Sequence, residues 1–159
     1  MEEVTRLTVL AERIEDRLFL RYKLEGDLDR LLLPTFQHTR REDRLWRSTC
    51  FEIFLNGGSK AYREYNFAPD GRWSAYSFGS YRHARSNLPN RCIVASGREM
   101  DFFWCDAVVI GQQVRRHRIG LSAIVENVSG FKSFYALKHP RGEADFHHRK
   151  CFAAKGDKW

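Results

Sequence analysis

Leu45-Trp46-Arg47-Ser48-Thr49-Cys50-Phe51-Glu52-Ile53-Phe54-Leu55-Asn56-Gly57-Gly58 reads as a buried β-strand with one carboxylate in its middle. Side chains alternate across a strand, so Cys50, Glu52 and Phe54 share one face and Phe51, Ile53 and Leu55 the other. The strand itself is read over 49–56 and ends at Asn56-Gly57-Gly58, where positive φ is tolerated and a hairpin can turn. Its partner is 61–68, in which Tyr62, Glu64 and Asn66 alternate with Arg63, Tyr65 and Phe67. Two pairings of faces are open from the sequence. If Phe51, Ile53 and Leu55 join Tyr65 and Phe67 in the core, Glu52, Glu64 and Asn66 come together on the opposite face.

The same period of two recurs outward from this hairpin. Leu18, Leu20, Tyr22 and Leu24 alternate with Phe19, Arg21, Lys23 and Glu25, as in a half-buried strand. Pro69-Asp70-Gly71 makes a tight turn into a strand over 72–78. Further strands are expected over 4–11, 92–96, 101–110, 118–126, 133–138 and 148–154, with a helical turn within 27–33. No segment sustains a 3.6-residue apolar stripe. About ten short strands without intervening helices predict an all-β, antiparallel sandwich or barrel.

The chain has 159 residues, enough for a full hydrophobic core, and is read as one domain spanning 1–159. Hydrophobic residues make up 43% and aromatics 14%, which places it with folded rather than disordered proteins. No apolar run approaches the ~20 residues of a membrane-spanning helix. The N-terminus lacks the layout of a secretory signal, so the expected location is cytoplasmic and no membrane partner is expected. Cys50, Cys92, Cys105 and Cys151 are scattered and form no C-x-x-C pair, so neither a disulfide framework nor a zinc site is expected. The net charge of +7 is concentrated at Arg40-Arg41, Arg82–Arg85 and Arg115–Arg118, which read as turns or strand ends. No nucleic-acid motif accompanies this charge, and nucleic acid is not the expected partner.

Two carboxylates, an amide and nearby aromatics suit a ligand rich in hydroxyls. Carboxylates and amides bond to vicinal hydroxyls, while an aromatic face packs on the C–H side of a sugar ring. The bland alternative is a solvated sheet face, against which stand Trp46, Phe54 and Tyr62 on or beside it. The segments Trp46–Leu55, Tyr62–Phe67, Asn66–Trp73 and Asp145–Arg149 resemble the bacterial DOMON-like proteins and the family 9 carbohydrate-binding modules of the DOMON-like superfamily. The resemblance spans nearly the whole chain and implies a sandwich of the jelly-roll or immunoglobulin-like kind. In that family two aromatic side chains clamp a terminal sugar while polar strand residues hold its hydroxyls. The resemblance places Trp46 as the first clamp, Phe146 as the second and Glu52 as a hydroxyl-binding glutamate. Phe146 stands where the family has tryptophan, Glu64 where it has arginine, and Ile124 where it has a polar amide.

The expected ligand-binding set is Trp46, Glu52, Glu64, Asn66, Arg82, Phe146 and His147, for a saccharide or similar polar small molecule. His147 and His148 are read as strand neighbours facing opposite ways, one toward the cleft, with a structural role equally open for each. Arg82 could serve an anionic group or pair with Glu52 or Glu64. Haem binding occurs elsewhere in the superfamily, but Met100 has no evident partner, and no cofactor or metal is expected. A second reading is a small glycosidase-like enzyme using Glu52, Glu64 and His147 for acid–base chemistry. A third is a protein-interaction module with a protein partner.

Overall fold

A computed structural model describes residues 3–111 and 117–156. Its twelve described strands form two sheets packed as a sandwich, all-β as the alternation predicts. The smaller sheet contains β1 (Val4–Ile14), β2 (Arg17–Gly26), β8 (Arg91–Arg98) and β9 (Phe102–Ile110) in the order β1-β2-β9-β8. The larger contains β3 (Arg40–Arg41), β4 (Cys50–Asn56), β5 (Tyr62–Phe67), β6 (Arg72–Phe78), β10 (Arg118–Glu126) and β11 (Lys132–Ala136) in the order β11-β10-β4-β5-β6-β3. Two short strands extend it: β7 (Ser86–Asn87) on β6 and β12 (Ala154–Lys155) on β10.

The core between the sheets follows the period of two. Leu18, Leu20, Tyr22 and Leu24 from β2 and Phe103, Cys105, Ala107 and Val109 from β9 meet Phe51, Ile53, Leu55, Tyr65 and Phe67 from the larger sheet. The Tyr22 hydroxyl is buried there and donates to the Glu52 carbonyl oxygen at 2.7 Å, so it is not left without a partner. The expected β4–β5 hairpin forms, with Phe51 opposite Phe67, Glu52 opposite Asn66 and Phe54 opposite Glu64. This register selects the pairing that sends Glu52, Glu64 and Asn66 to the outer face. The Pro69-Asp70-Gly71 turn also forms. Gly71 has φ +99°, and a Cβ there would meet the His38 carbonyl oxygen at 2.4 Å, so only glycine fits.

Local differences have local causes. The strand expected over 49–56 runs from Cys50 to Asn56, and Leu45–Arg47 ahead of it is a 3₁₀ turn. The helical turn expected within 27–33 is a 3₁₀ turn at Leu28–Arg30. The strand expected over 148–154 is absent, and Arg149–Cys151 forms a 3₁₀ turn instead. The His148 Nδ1 accepts a bond from the Lys150 amide, which caps that turn and displaces strand geometry. Three strands of two residues, β3, β7 and β12, raise the count from about ten to twelve. They are held by backbone pairing and leave no alternation to read.

Of the basic clusters, Arg40-Arg41 is β3 itself, running parallel to Arg72 and Trp73. The Arg41 guanidinium donates to the Leu88 and Ala75 carbonyls and lies over the Trp73 ring, which gives it a structural role. Arg82–Arg85 forms a turn beside the outer face, with Arg82 at φ 50° and Ala84 at φ 54°. Arg115 and Arg116 fall outside the described residues.

Candidate functional site

Every side chain from Cys50 to Leu55 is buried, which a strand with one solvated face would not show. The outer face of the larger sheet is covered as well. A second apolar cluster sits on it, made of Phe54, Tyr62, Tyr76, Phe78, Ile124, Phe146, Cys151 and Phe152, with Trp46 and Ala136 packed against it. The covering layer is the C-terminal segment. Phe152 stacks on Phe54 with ring centroids 5.9 Å apart, and the His147 ring meets the Phe54 and Phe78 rings edge-on at 5.1 and 5.2 Å. Gly120 makes this approach feasible, because a Cβ there would lie 2.9 Å from Phe152 Cδ1 and 3.3 Å from the Cys151 carbonyl oxygen.

Beneath this cover runs a polar row. Ser122 of β10, Glu52 of β4, Asn66 of β5 and Ser74 of β6 stand opposite one another in successive strands. All four are buried. Ser122 Oγ donates to Glu52 Oε2 at 3.0 Å. One row further along β5, Glu64 Oε1 accepts from Asn66 Nδ2 at 2.7 Å. Burial pushes both carboxyl groups well above the ordinary value of 4.5, and for Glu52 the nearby Glu64 adds to the effect. The two groups titrate as a pair, and each retains its proton where an exposed glutamate would lose it.

A cleft of about 410 Å³ opens above the row. Trp46, Phe78, Phe134, Ile124 and Phe146 supply its apolar lining, and Glu52, Glu64, Arg82, Arg85 and His147 its polar one. Trp46 is half-buried and meets the Tyr76 ring edge-on at 6.2 Å. The Arg85 guanidinium lies over the Tyr76 ring at 4.8 Å and the Trp46 ring at 5.8 Å. Arg82 does not pair with either glutamate: its Nη2 donates to Asp145 Oδ1 at 2.8 Å. The Tyr81 hydroxyl bonds to the other oxygen of that carboxylate, and its first oxygen also accepts from the His147 amide at 3.1 Å. These bonds tie the Arg82 turn to the turn that carries Phe146 and His147.

His147 is in that turn and not on a strand, so strand parity does not govern the two histidines. His147 lines the cleft while His148 caps the following 3₁₀ turn. The Tyr62 hydroxyl accepts the Arg82 amide at 3.0 Å and lies 2.8 Å from His147 Nδ1. Burial, with Arg82 adding to it, lowers the His147 pKa to about 4, so the ring is neutral near pH 7. When Nδ1 accepts from the Tyr62 hydroxyl the neutral ring carries its proton on Nε2, and when Nδ1 donates the proton is on Nδ1. Nε2 is 3.8 Å from Glu64 Oε2. With the imidazole neutral and the separation beyond hydrogen-bond length, this contact is not an ion pair.

Six of the seven residues expected from the sequence thus border one cleft, and Asn66 lies in its floor row. Sequence reasoning missed Ser122, Phe134 and Arg85 as members of the lining or its support. Ser122 needs the β4–β10 register, which no short-range pattern encodes. Met100 is 92% exposed and away from the cleft. Among the described residues no three His, Cys, Asp or Glu side chains are grouped to hold a metal ion.

No protein-family model matches the chain. No curated protein matches it. Among solved structures, the chain is similar to a "putative carbohydrate-binding protein" from Bacteroides uniformis, with a TM-score of 0.55 and 13% identity, over 84% of this chain and 72% of that one. At that identity the likeness is one of fold.

Proposed function

We propose that the cleft is a non-catalytic binding site for a saccharide or similar polar small molecule, carried on one DOMON-like β-sandwich domain. The observation behind this reading is that Trp46 and Phe146 both border a cleft whose polar lining includes Glu52 and Glu64. An aromatic face packs on the C–H side of a sugar ring, and Glu52, Glu64, Arg82 and His147 supply groups for its hydroxyls, with Asn66 holding Glu64 from the floor row. The resemblance to family 9 carbohydrate-binding modules supports the same class of ligand, as does the fold shared with the Bacteroides protein. Phenylalanine at 146, glutamate at 64 and isoleucine at 124 change the family's contacts, so the ligand need not be the family's own.

Titration of mono- and disaccharides by calorimetry and tryptophan fluorescence tests the proposal. Binding in the millimolar range or tighter, lost in Trp46→Ala, is the expected result. Absence of binding at millimolar sugar, with Trp46→Ala indistinguishable from the unsubstituted protein, overturns it.

A second reading, acid–base catalysis by Glu52, Glu64 and His147, is favoured by one observation. Burial holds two neighbouring carboxyls in the protonated form beyond their usual range, as a general acid requires. Turnover of an aryl glycoside, lost in both Glu52→Gln and Glu64→Gln, would support catalysis. Saturable binding without product would reject it.

A further inference from the structure

The cleft floor holds two buried carboxyl groups, and among the described residues no lysine or arginine is bonded to either. Glu52 is 3% exposed and Glu64 4%. The groups facing them are a hydroxyl from Ser122 on β10, the amide of Asn66 on β5, the neutral His147 ring, and two arginines. Both arginines are engaged elsewhere: Arg82 with Asp145, and Arg85 over the rings of Trp46 and Tyr76. The Tyr76 hydroxyl, next to Glu64 across the strands, is committed to Asp43. Among the described residues no lysine or arginine forms an ion pair with Glu52 or Glu64.

Asn66 adds an independent observation. It is fully buried in the floor row opposite Glu52, and its Oδ1 has no hydrogen-bond partner among the described residues. Turning the amide over does not cure this, since Nδ2 would then occupy the unpaired position. A buried polar atom without a partner costs stability, and here it lies beside two carboxyls that form no ion pair with a lysine or arginine among the described residues. Among those residues the floor row thus contains one buried acceptor without a partner, and the Ser74 hydroxyl of the same row is unpaired as well.

We propose that the ligand of this cleft carries a primary ammonium group, which seats against Glu52 and Glu64. An ammonium offers three N–H donors and no acceptor, and it brings a bonded positive charge to carboxylates on which Arg82 and Arg85 act only from the rim. Arg82 and Arg85 stay at the rim, held by Asp145 and by the aromatic faces. Seating the ammonium replaces a proton: a carboxyl group ionises and its proton passes to solvent, while the amine keeps all of its own. The inference rests on the cleft being a small-molecule site, and it narrows the expected saccharide to an amino sugar.

Calorimetry of the intact protein at pH 6 with D-glucosamine, D-glucose, N-acetyl-D-glucosamine and cyclohexylamine separates the two claims. Glucosamine is expected to bind at least ~10-fold more tightly than the two neutral sugars. Its binding should release a proton, read from the dependence of the heat on buffer ionisation, and should tighten as pH rises from 6 until the sugar's own ammonium begins to deprotonate. The Glu64→Gln variant should bring glucosamine down to the affinity of glucose, with an unfolding temperature showing that it still folds. If glucose or N-acetylglucosamine equals glucosamine, the ammonium inference is overturned and the sugar site stands. If cyclohexylamine binds as tightly as glucosamine with proton release, while glucose does not bind, the ammonium inference stands and the sugar reading fails. If none of the four binds, both are overturned. An amine preference that survives Glu64→Gln also overturns the inference.

Discussion

Glu52 stands directly opposite Asn66 across β4 and β5, and the Asn66 amide nitrogen turns from it to donate to Glu64. This arrangement places two carboxyls on one buried face with a single neutral amide between the rows. Among the described residues neither forms an ion pair with a lysine or arginine, and burial favours the protonated form of both. The consequences extend to stability, to the shape of the cleft and to what the cleft will hold.

The first consequence is a pH dependence of stability. For both glutamates the folded-state pKa lies above the unfolded one, so the folded chain binds more protons than the unfolded chain between those values. Their contribution is full below the ordinary value of 4.5 and is lost as pH rises through the raised values. Glu64→Gln removes one ionisation from this window. The variant should gain about 1–3 kcal/mol relative to the unsubstituted protein between acidic and mildly alkaline pH. Denaturant unfolding across that range measures it, and parallel curves for the two proteins would count against the burial argument.

His147 has the opposite sign. Its pKa is lowered from 6.5 to about 4, so the unfolded chain takes up a proton in that interval while the folded one does not. The stability that a neutral His147 represents is present above the ordinary value and disappears as pH falls through the lowered one. In an NMR titration the His147 ring resonances should stay flat from pH 8 to 5 and move only below that (roughly, given the directions of the shifts). Tyr62→Phe removes the partner of His147 Nδ1 and an acceptor of the Arg82 amide. It should cost about 1–2 kcal/mol.

Gly120 tests whether the C-terminal cover is part of the site. A Cβ at this position would press on Phe152 Cδ1 at 2.9 Å and on the Cys151 carbonyl at 3.3 Å. Gly120→Ala should destabilise the fold by about 1–3 kcal/mol through overpacking. Because Phe146 and His147 belong to the displaced segment, the variant should also weaken ligand binding. A stable variant with undiminished binding would show that the cover gives way without disturbing the cleft.

Trp46→Ala separates the wall from the core. The ring is half-buried and touches Tyr76 and Arg85 at the cleft edge, whereas Phe54 lies wholly inside the second cluster. Trp46→Ala should lower affinity for the bound sugar by roughly 10-fold or more while costing less stability than Phe54→Ala, for which about 3–5 kcal/mol is expected. Thermal unfolding of the two variants, beside the sugar titration, reads both effects.

The strand alternation in β2, β4, β5 and β9 determined by itself that the protein is an all-β sandwich or barrel and which side chains of each strand share a face. The reason is local: a period of two fixes which side of the backbone each residue faces, and the Asn-Gly-Gly and Pro-Asp-Gly turns fix where the strands reverse. The same logic put Glu52, Glu64 and Asn66 on one face once the core pairing was chosen. It could not decide that this face is buried. That depended on Phe146, His147 and Phe152 folding back over β4 and β5, on Gly120 leaving room for them, and on Arg82 joining Asp145. These contacts link residues far apart in the chain, and no periodicity encodes them. The sequence could place a carboxylate within its most apolar strand. Only the tertiary structure covered both sides of that strand and made the carboxylate a buried acid.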